Sequence, residues 1–290
     1  MALILLSHIT DLTSHIIKFT MIDKRKVKRS FNLHASTYDQ SAHLQKKVAA
    51  EVIERVTHSR IDPSRVLDIG TGTGYIALAL RELFPTITIQ ACDIAHEMIA
   101  VARSKGAKLS YNHLTFVTAD AEVLPYQRER FDLVVSNLTY QWLSEWGSAF
   151  QEVCRVLKVG GVFIFTTLGE HTLFELRDSC LRAYQTPGGS GVPSLHNFIR
   201  RDTLEEILTR EGFTEVLVES KCEKEYHGGA KELLIHLKTI GAQNATTPNL
   251  LGLGKTKVFK QMLDTYEERY RNSLGIPATY EVLIGWGRKR

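Results

Sequence analysis

The stretch "VLDIGTGTGYIALAL", Val66 to Leu80, sets three glycines within five residues between two apolar runs. A short β-type run, Arg65 to Ile69, enters it, and a helical spacing from Tyr75 to Phe84 leaves it and stops at Pro85. Gly70, Gly72 and Gly74 therefore join a strand to a helix. At such a junction backbone amides face outward from the carboxyl end of the strand, and glycine removes the Cβ that would hold a ligand away. The spacing is GxGxG with Asp68 just ahead of it, which differs from the GxGxxG of dinucleotide folds. Asp93 ends the next apolar run about twenty residues on, where such folds place a carboxylate on ribose hydroxyls. Asp120 ends the third run. Singly, a glycine turn is often a tight connection and an aspartate at a strand end a helix cap. Three successive strand ends carrying such residues point to a bound ligand.

The rest of the chain keeps the same rhythm. Runs at 86–93, 114–120, 131–138 and 161–168 read as strands, and runs at 41–56, 95–105 and 148–157 as helices. Alternation at this pitch predicts an α/β fold with a parallel sheet covered on both faces. Beyond Leu168 the order changes. Helices are expected at 171–184, 201–212, 225–242 and 257–272, strands at 213–222 and 278–287, and a Gly- and Pro-rich loop at 185–193. We read one domain over 21–290, with cap segments at about 21–45, 169–200 and 224–275. Residues 1–20 read as an upstream extension or an over-called start, with Met21 heading the basic stretch that follows. Their apolar run is too short to span a bilayer and lacks the basic start of a signal peptide.

Composition narrows the function. Four cysteines, Cys92, Cys154, Cys180 and Cys222, lie far apart in no metal-binding spacing, so no metal is expected and a reduced, cytoplasmic setting is. The net charge of +4 over 290 residues is too small to argue for nucleic acid, although Lys24, Arg25, Lys26, Lys28 and Arg29 form a basic run.

The glycine loop, Asp93, Asp120 and "FDLVVSNL" resemble the Rossmann-like S-adenosylmethionine (SAM) methyltransferases over roughly Arg65 to Thr167. That resemblance implies a class I sheet, mostly parallel with the last strand antiparallel. It also implies residue roles. Asp68, Gly70, Thr71, Gly72 and Gly74 would hold the methionine end of the cofactor, Asp93 with Ile94 the ribose, and Asp120 with Ala121 the adenine. Asn137 and Leu138 would line the cofactor and substrate side. Four further segments, "SFNLHASTYDQSAHLQ", "SNLTYQWL", "TTLGEHTLFELR" and "GIPATYEVLIG", resemble one narrower family, the malonyl-acyl carrier protein O-methyltransferases of biotin synthesis. The chain departs from the usual patterns at Thr71, Val159 and Ile284.

By that second resemblance the acceptor is a malonyl carboxylate on an acyl carrier protein, or on coenzyme A. A carboxylate is ionised near neutral pH and needs no base to become a nucleophile, so the protein must supply aim. Arg177, directly after the fifth strand and inside the family string, is the candidate carboxylate clamp. Tyr38 and His43 belong to the segment expected to close over the cofactor, and Gln141 and Trp142 to the same cavity wall. The bland readings are an exposed Arg177 paired with Glu175 or Asp178, and packing roles for the aromatics. An acidic carrier would want a basic rim, for which Lys24 to Arg29, Arg200 with Arg201, and Lys255, Lys257 and Lys260 are candidates. A methyltransferase for another small carboxylic acid would share the core without that rim. A non-catalytic SAM-fold binding protein would be expected to have lost the loop or Asp93, and both are intact.

Overall fold

The computed structural model describes residues 18–19, 22–59, 61–109, 112–143, 145–185, 194–195, 197–240 and 255–290. Three helices come first: α1 (Lys24–His34), α2 (Tyr38–Ser41) and α3 (His43–His58). Asp23 starts α1 by accepting the Arg25 amide at 3.0 Å, a side-chain cap on an otherwise unpaired first turn. Then come β1 (Arg65–Ile69), α4 (Tyr75–Leu83), β2 (Thr88–Asp93), α5 (His96–Lys108), β3 (Leu114–Thr118) and β4 (Phe131–Ser136). A 3-10 turn at Tyr140–Trp142 leads to α6 (Trp146–Val156) and β5 (Leu157–Leu168). The last part holds α7 (Phe174–Tyr184), α8 (Arg201–Arg210), β6 (Phe213–His227), α9 (Ala230–Thr239), α10 (Lys255–Tyr270) and β7 (Ile276–Lys289).

The seven strands stand in the order β3-β2-β1-β4-β5-β7-β6. Neighbours from β3 to β5 pair in parallel, whereas β7 runs antiparallel to both β5 and β6. The expected sheet is therefore present, including the reversed last strand. The chain winds outward from β1 through β2 to β3, then returns to β4 on the other side of β1. That reversal splits the connections above β1 and β4 and opens a crevice at their carboxyl ends.

One face of the sheet packs on α3, α4 and α5 through residues such as Val52, Leu80, Ile99 and Ile164. The other packs on α6 and α8 through an aromatic cluster in which Phe163 and Phe165 stack at 4.4 Å. The cap has a core of its own. Leu176, Cys180, Leu233, Met262 and Tyr266 from α7, α9 and α10 meet Ala278, Tyr280, Val282 and Ile284 of β7. These four alternate along the strand, so one face of β7 belongs to the cap while Leu283 faces the aromatic cluster.

Two expectations are corrected. Glu225, Tyr226 and His227 extend β6, because they pair with Ala278, Pro277 and Ile276, and the helix begins only after Gly228 and Gly229. The basic run from Lys24 to Arg29 belongs to a helix, Lys24–His34, whose buried side holds Val27 and Ser30. Of the expected extension, Lys18 and Phe19 pair in parallel with Ser194 and Leu195. Residues 1–17 and most of the loop at 185–193 lie outside the described residues. Among the described residues, no helix is long and apolar enough to cross a membrane, and all four cysteines are free thiols.

Candidate functional site

The crevice above β1 and β4 holds three adjoining cavities. The first, of about 730 Å³, is walled by Gly70, Gly72, Asp93, Ile94, Asp120 and Ala121 and roofed by Lys24, Val27 and Phe31 of α1. The second, of about 540 Å³, lies toward the cap between Leu44, Leu168, Leu173, Phe198, Leu237 and Tyr280. The third, of about 450 Å³, lies over Asp68, Thr71 and Thr73. Phe31, Tyr38, Leu138 and Trp142 belong to both the first and the second, and Tyr38 borders all three.

The glycine loop is built by conformation that only glycine takes without strain. Gly70, Gly72 and Gly74 have φ of +68°, +55° and +89°. A Cβ on Gly70 would lie 2.0 Å from the Thr139 hydroxyl oxygen, whereas one on Gly72 would meet no atom within 4 Å. Gly74 does not reach the cavities. It caps α4, and a Cβ there would press on Ala102 at 3.1 Å, so its role is helix packing rather than ligand contact.

Two carboxylates organise the loop. Asp68 is buried and accepts the Thr71 hydroxyl at 2.7 Å. Burial pushes its carboxyl up to about 7, with a contribution from the nearby Asp93, against donation from Thr71 and the Ala77 amide. Asp93 accepts the Gly72 amide at 2.9 Å and the Ala95 amide at 2.8 Å. Burial raises its pKa too, opposed by those amides and that of Ile94. The loop is also held from the α2 side, since Thr73 donates to Asp39 at 2.6 Å and Lys105 pairs with Asp39 at 2.5 Å.

The third strand end behaves differently from expectation. Asp120 accepts Lys24 Nζ at 2.8 Å, and Lys24 also bonds Glu122. Lys24 is thus a tie between α1 and the cavity wall, not part of a free basic rim. After β4, Asn137 donates to the Gln45 carbonyl at 3.0 Å and accepts the Thr166 hydroxyl at 2.7 Å. Leu138 takes φ of +48°, and its amide donates to Thr166 Oγ1 at 3.0 Å. Gln141 is buried and donates to the Leu138 carbonyl at 2.6 Å, while Trp142 packs edge-on against Phe31 at 5.6 Å.

The substrate-side candidates part company. Tyr38 stands at the meeting of the cavities, its hydroxyl kept protonated by burial and then by Asp93 and Asp39. His43 is exposed at the start of α3 and borders none of the three cavities, because the helix turns Leu44 inward instead. Arg177 is half-buried one helical turn beyond Leu173 and does not line the second cavity. Burial lowers its pKa, and Glu170 opposes that. It is not paired with Glu175, which is buried and bonded to Thr279. Arg200 pairs with Asp202 and Arg201 with Glu205, so neither is a free rim charge.

Among the predicted residues, Gly70, Gly72, Asp93, Ile94, Asp120, Ala121, Asn137 and Leu138 line the first cavity, and Asp68 and Thr71 the third. The sequence reading missed Phe31, Met98, Thr139 and Tyr280 on the walls. The signal for Phe31 was available as an apolar stripe with Val27 behind an Asp23 cap. The set suits an adenosyl cofactor: carboxylates for hydroxyl and amino groups, apolar Ile94, Met98 and Leu143 for a flat base, and open space over the Gly72 backbone.

Comparison with known proteins agrees. The family profile "Methyltransferase domain" matches residues 67–165. Among solved structures, the YcgJ protein of Bacillus subtilis superposes with a TM-score of 0.57 at 20% identity, covering 84% of this chain and 98% of that one. The phosphoethanolamine N-methyltransferase 2 of Haemonchus contortus, solved with S-adenosyl-L-methionine, superposes with a TM-score of 0.56 at 18% identity over 89% of this chain and 57% of that one. Fold, loop and profile together define a class I SAM-dependent methyltransferase. A "Malonyl-[acyl-carrier protein] O-methyltransferase" of Geobacter sulfurreducens is 39% identical over 93% of this chain and 100% of its own length. A "Biotin biosynthesis bifunctional protein BioHC" of Saccharophagus degradans is 35% identical over 90% of this chain and 46% of its own length. The chain belongs to the malonyl-[acyl-carrier protein] O-methyltransferase family.

Proposed function

We propose that this protein methylates the free carboxylate of a malonyl group carried on acyl carrier protein, in the cytoplasm, as a step of biotin synthesis. The observation that carries the reading is the second cavity, which shares Phe31, Tyr38, Leu138 and Trp142 with the first and has apolar walls bare of charged side chains among the described residues. A carboxylate brought into such a space loses its hydration shell and becomes a better nucleophile, with no base required. Bound SAM supplies a methyl group activated by its sulfonium centre. The protein does the rest by position. Asp68 and the glycine loop hold the methionine end, Asp93 with Ile94 the ribose, and Asp120 with Ala121 the adenine. Tyr38, fixed beside Asp39, separates cofactor from acceptor and excludes water. Arg177 acts from the cap, on the same helix face as Leu173, as the cation that draws the carboxylate in.

The test is transfer of labelled methyl from SAM to purified malonyl-carrier protein, with malonyl-coenzyme A, free malonate and Arg177→Ala in parallel. Base-labile label on the carrier is the expected result, reduced in Arg177→Ala through the loss of a nearby positive charge rather than of a direct bond, since Arg177 does not line the second cavity. No transfer to any malonyl acceptor by a protein that binds SAM would discard the acceptor assignment.

Two further expectations follow from charge. The Asp68 carboxyl titrates near 7 in the empty protein, well above its unfolded value, so its folded form holds a proton that the unfolded chain releases between about pH 4 and 7. Its share of stability therefore falls as pH rises through that window. An ammonium-bearing cofactor prefers the ionised form, so affinity for SAM should climb with pH up to about 7 and then level off. Calorimetry across pH 5.5 to 8.5 should show this, and Asp68→Asn should bind weakly with no slope. A slope that persists in Asp68→Asn would assign it elsewhere.

On the outer face of α1, Lys26, Lys28 and Arg29 are exposed and pair with no carboxylate among the described residues. They stand above the cavity that α1 roofs and suit an acidic carrier. Changing all three to glutamate should raise KM for malonyl-carrier protein at least tenfold at low salt and leave malonyl-coenzyme A within about twofold. Equal effects on both acceptors would place the carrier elsewhere.

A further inference from the structure

One side chain stands where the second and third cavities meet, with an amide that bonds to nothing. Gln45 is half-buried on the inner side of α3 and borders those two cavities but not the first. Its backbone carbonyl accepts the Asn137 side chain at 3.0 Å, which seats this turn of the helix against the loop after β4. Its side-chain amide has no hydrogen-bond partner among the described residues: Oε1 is sealed from solvent, and Nε2 is left accessible. A half-buried amide without a partner costs free energy, and such groups are few in native proteins. Its position calls for a ligand atom.

The surroundings say which atom. In the proposed reaction the third cavity takes the methionine end of the cofactor and the second takes the acceptor, so a residue that borders both stands where the two meet. The other polar groups on the second cavity are engaged. Thr172 gives its hydroxyl to the Glu281 carbonyl at 3.2 Å, Gln141 bonds to Leu138 and Thr167, and the Tyr280 hydroxyl is sealed beside the Glu225 carboxylate. Tyr38 also fronts the first cavity, whereas Gln45 does not. An amide can turn either end toward a ligand, and a carboxylate takes the N–H end. A neutral N–H fixes one carboxylate oxygen without cancelling the charge that makes the group a nucleophile. The second oxygen is then left to face the cofactor side.

We infer that Gln45 donates its side-chain N–H to one oxygen of the acceptor carboxylate and so aims the other oxygen at the cofactor. The inference rests on the second cavity being the acceptor site. Removing the donor should matter to the acceptor and not to cofactor binding. Arg177 supplies charge from outside the wall, while Gln45 supplies direction within it.

The experiment compares the intact protein with Gln45→Met, which keeps the length of the side chain, and Gln45→Glu, which puts a carboxylate in its place. Gln45→Met should lower kcat/KM for malonyl-coenzyme A and malonyl-carrier protein by about tenfold to a hundredfold, the scale of a lost hydrogen bond to a charged group. SAM affinity by calorimetry should stay within about twofold. The methyl ester of malonyl-coenzyme A, a neutral compound of nearly the same shape, then reads the charge. In Gln45→Glu two carboxylates would face each other, so KM for malonyl-coenzyme A should rise about tenfold or more beyond the rise in the inhibition constant of the ester. An unchanged kcat/KM in Gln45→Met, or KM and inhibition constant rising together in Gln45→Glu, would overturn the inference. A fall in SAM affinity that matches the fall in kcat/KM would also overturn it, by giving the amide to the cofactor. Each of these leaves the methyltransferase reading intact. Failure of the intact protein to methylate any malonyl acceptor would remove the function and this inference together.

Discussion

Gly70→Ala is expected to abolish measurable cofactor binding and to cost about 2–4 kcal/mol of stability, from left-handed strain and overpacking together. The backbone at Gly70 has φ of +68°, and a methyl group would fall 2.0 Å from Thr139 Oγ1, 2.5 Å from its Cγ2 and 2.8 Å from its Cβ. Thr139 cannot simply swing away. Its hydroxyl is bonded to the Asn137 carbonyl at 3.2 Å, and the turn it belongs to connects β4 to the Leu138 wall. Pairing Gly70→Ala with Thr139→Ala tests the steric part, because the second change removes the two closest atoms and leaves the φ strain together with the contact to the residue 139 Cβ at 2.8 Å. Thermal melts should recover roughly half the loss in the double variant. If the double variant melts no higher than Gly70→Ala, the steric account is wrong.

Asp93→Ala is expected to weaken SAM binding by a factor of 100 or more. The carboxylate has two structural bonds, from the amides of Gly72 and Ala95, and it also lines the first cavity. Alanine leaves two amide donors unpaired, each costing about 1–3 kcal/mol where burial is retained, besides any bond to the cofactor. Asn is a poor substitute, since its NH2 would face one of those amide donors. A second consequence is electrostatic. Asp93 helps to raise the Asp68 carboxyl, so its removal should move the pH midpoint of residual binding below 7. Calorimetry on Asp93→Ala and Asp93→Asn reads both effects. A loss of less than threefold in either would exclude Asp93 from the cofactor site.

What the sequence made legible was local. The glycine loop, the Asp93 strand end and the alternation from β1 to β5 are written in neighbouring residues, and the structure has them where the spacing places them. Partners far along the chain were not legible. Lys24 looked like one charge in a basic run, yet its partners Asp120 and Glu122 come from a loop almost a hundred residues away. Arg200 and Arg201 could have been read better, since Asp202 and Glu205 lie within a helical turn of them. Tyr280 sat inside a recognised motif, but only the register of β7 against β5 and β6 shows which cavity its ring faces. His43 and Gly74 failed for the same reason in reverse: their neighbours are functional, and the helix geometry turns them aside.

The tie between Lys24 and the Asp120–Glu122 pair bears on how firmly the site is roofed. These side chains are 15–32% accessible to solvent, so the tie is held in a partly aqueous setting where such contacts contribute little, about 1 kcal/mol or less each. It is one weak fastening among several on the roof of the first cavity, for α1 is also held where Asn32 accepts the Glu97 amide at 3.0 Å and where Phe31 packs on Trp142. Losing the Lys24 tie alone would therefore loosen the N-terminal end of that roof and leave its C-terminal end seated.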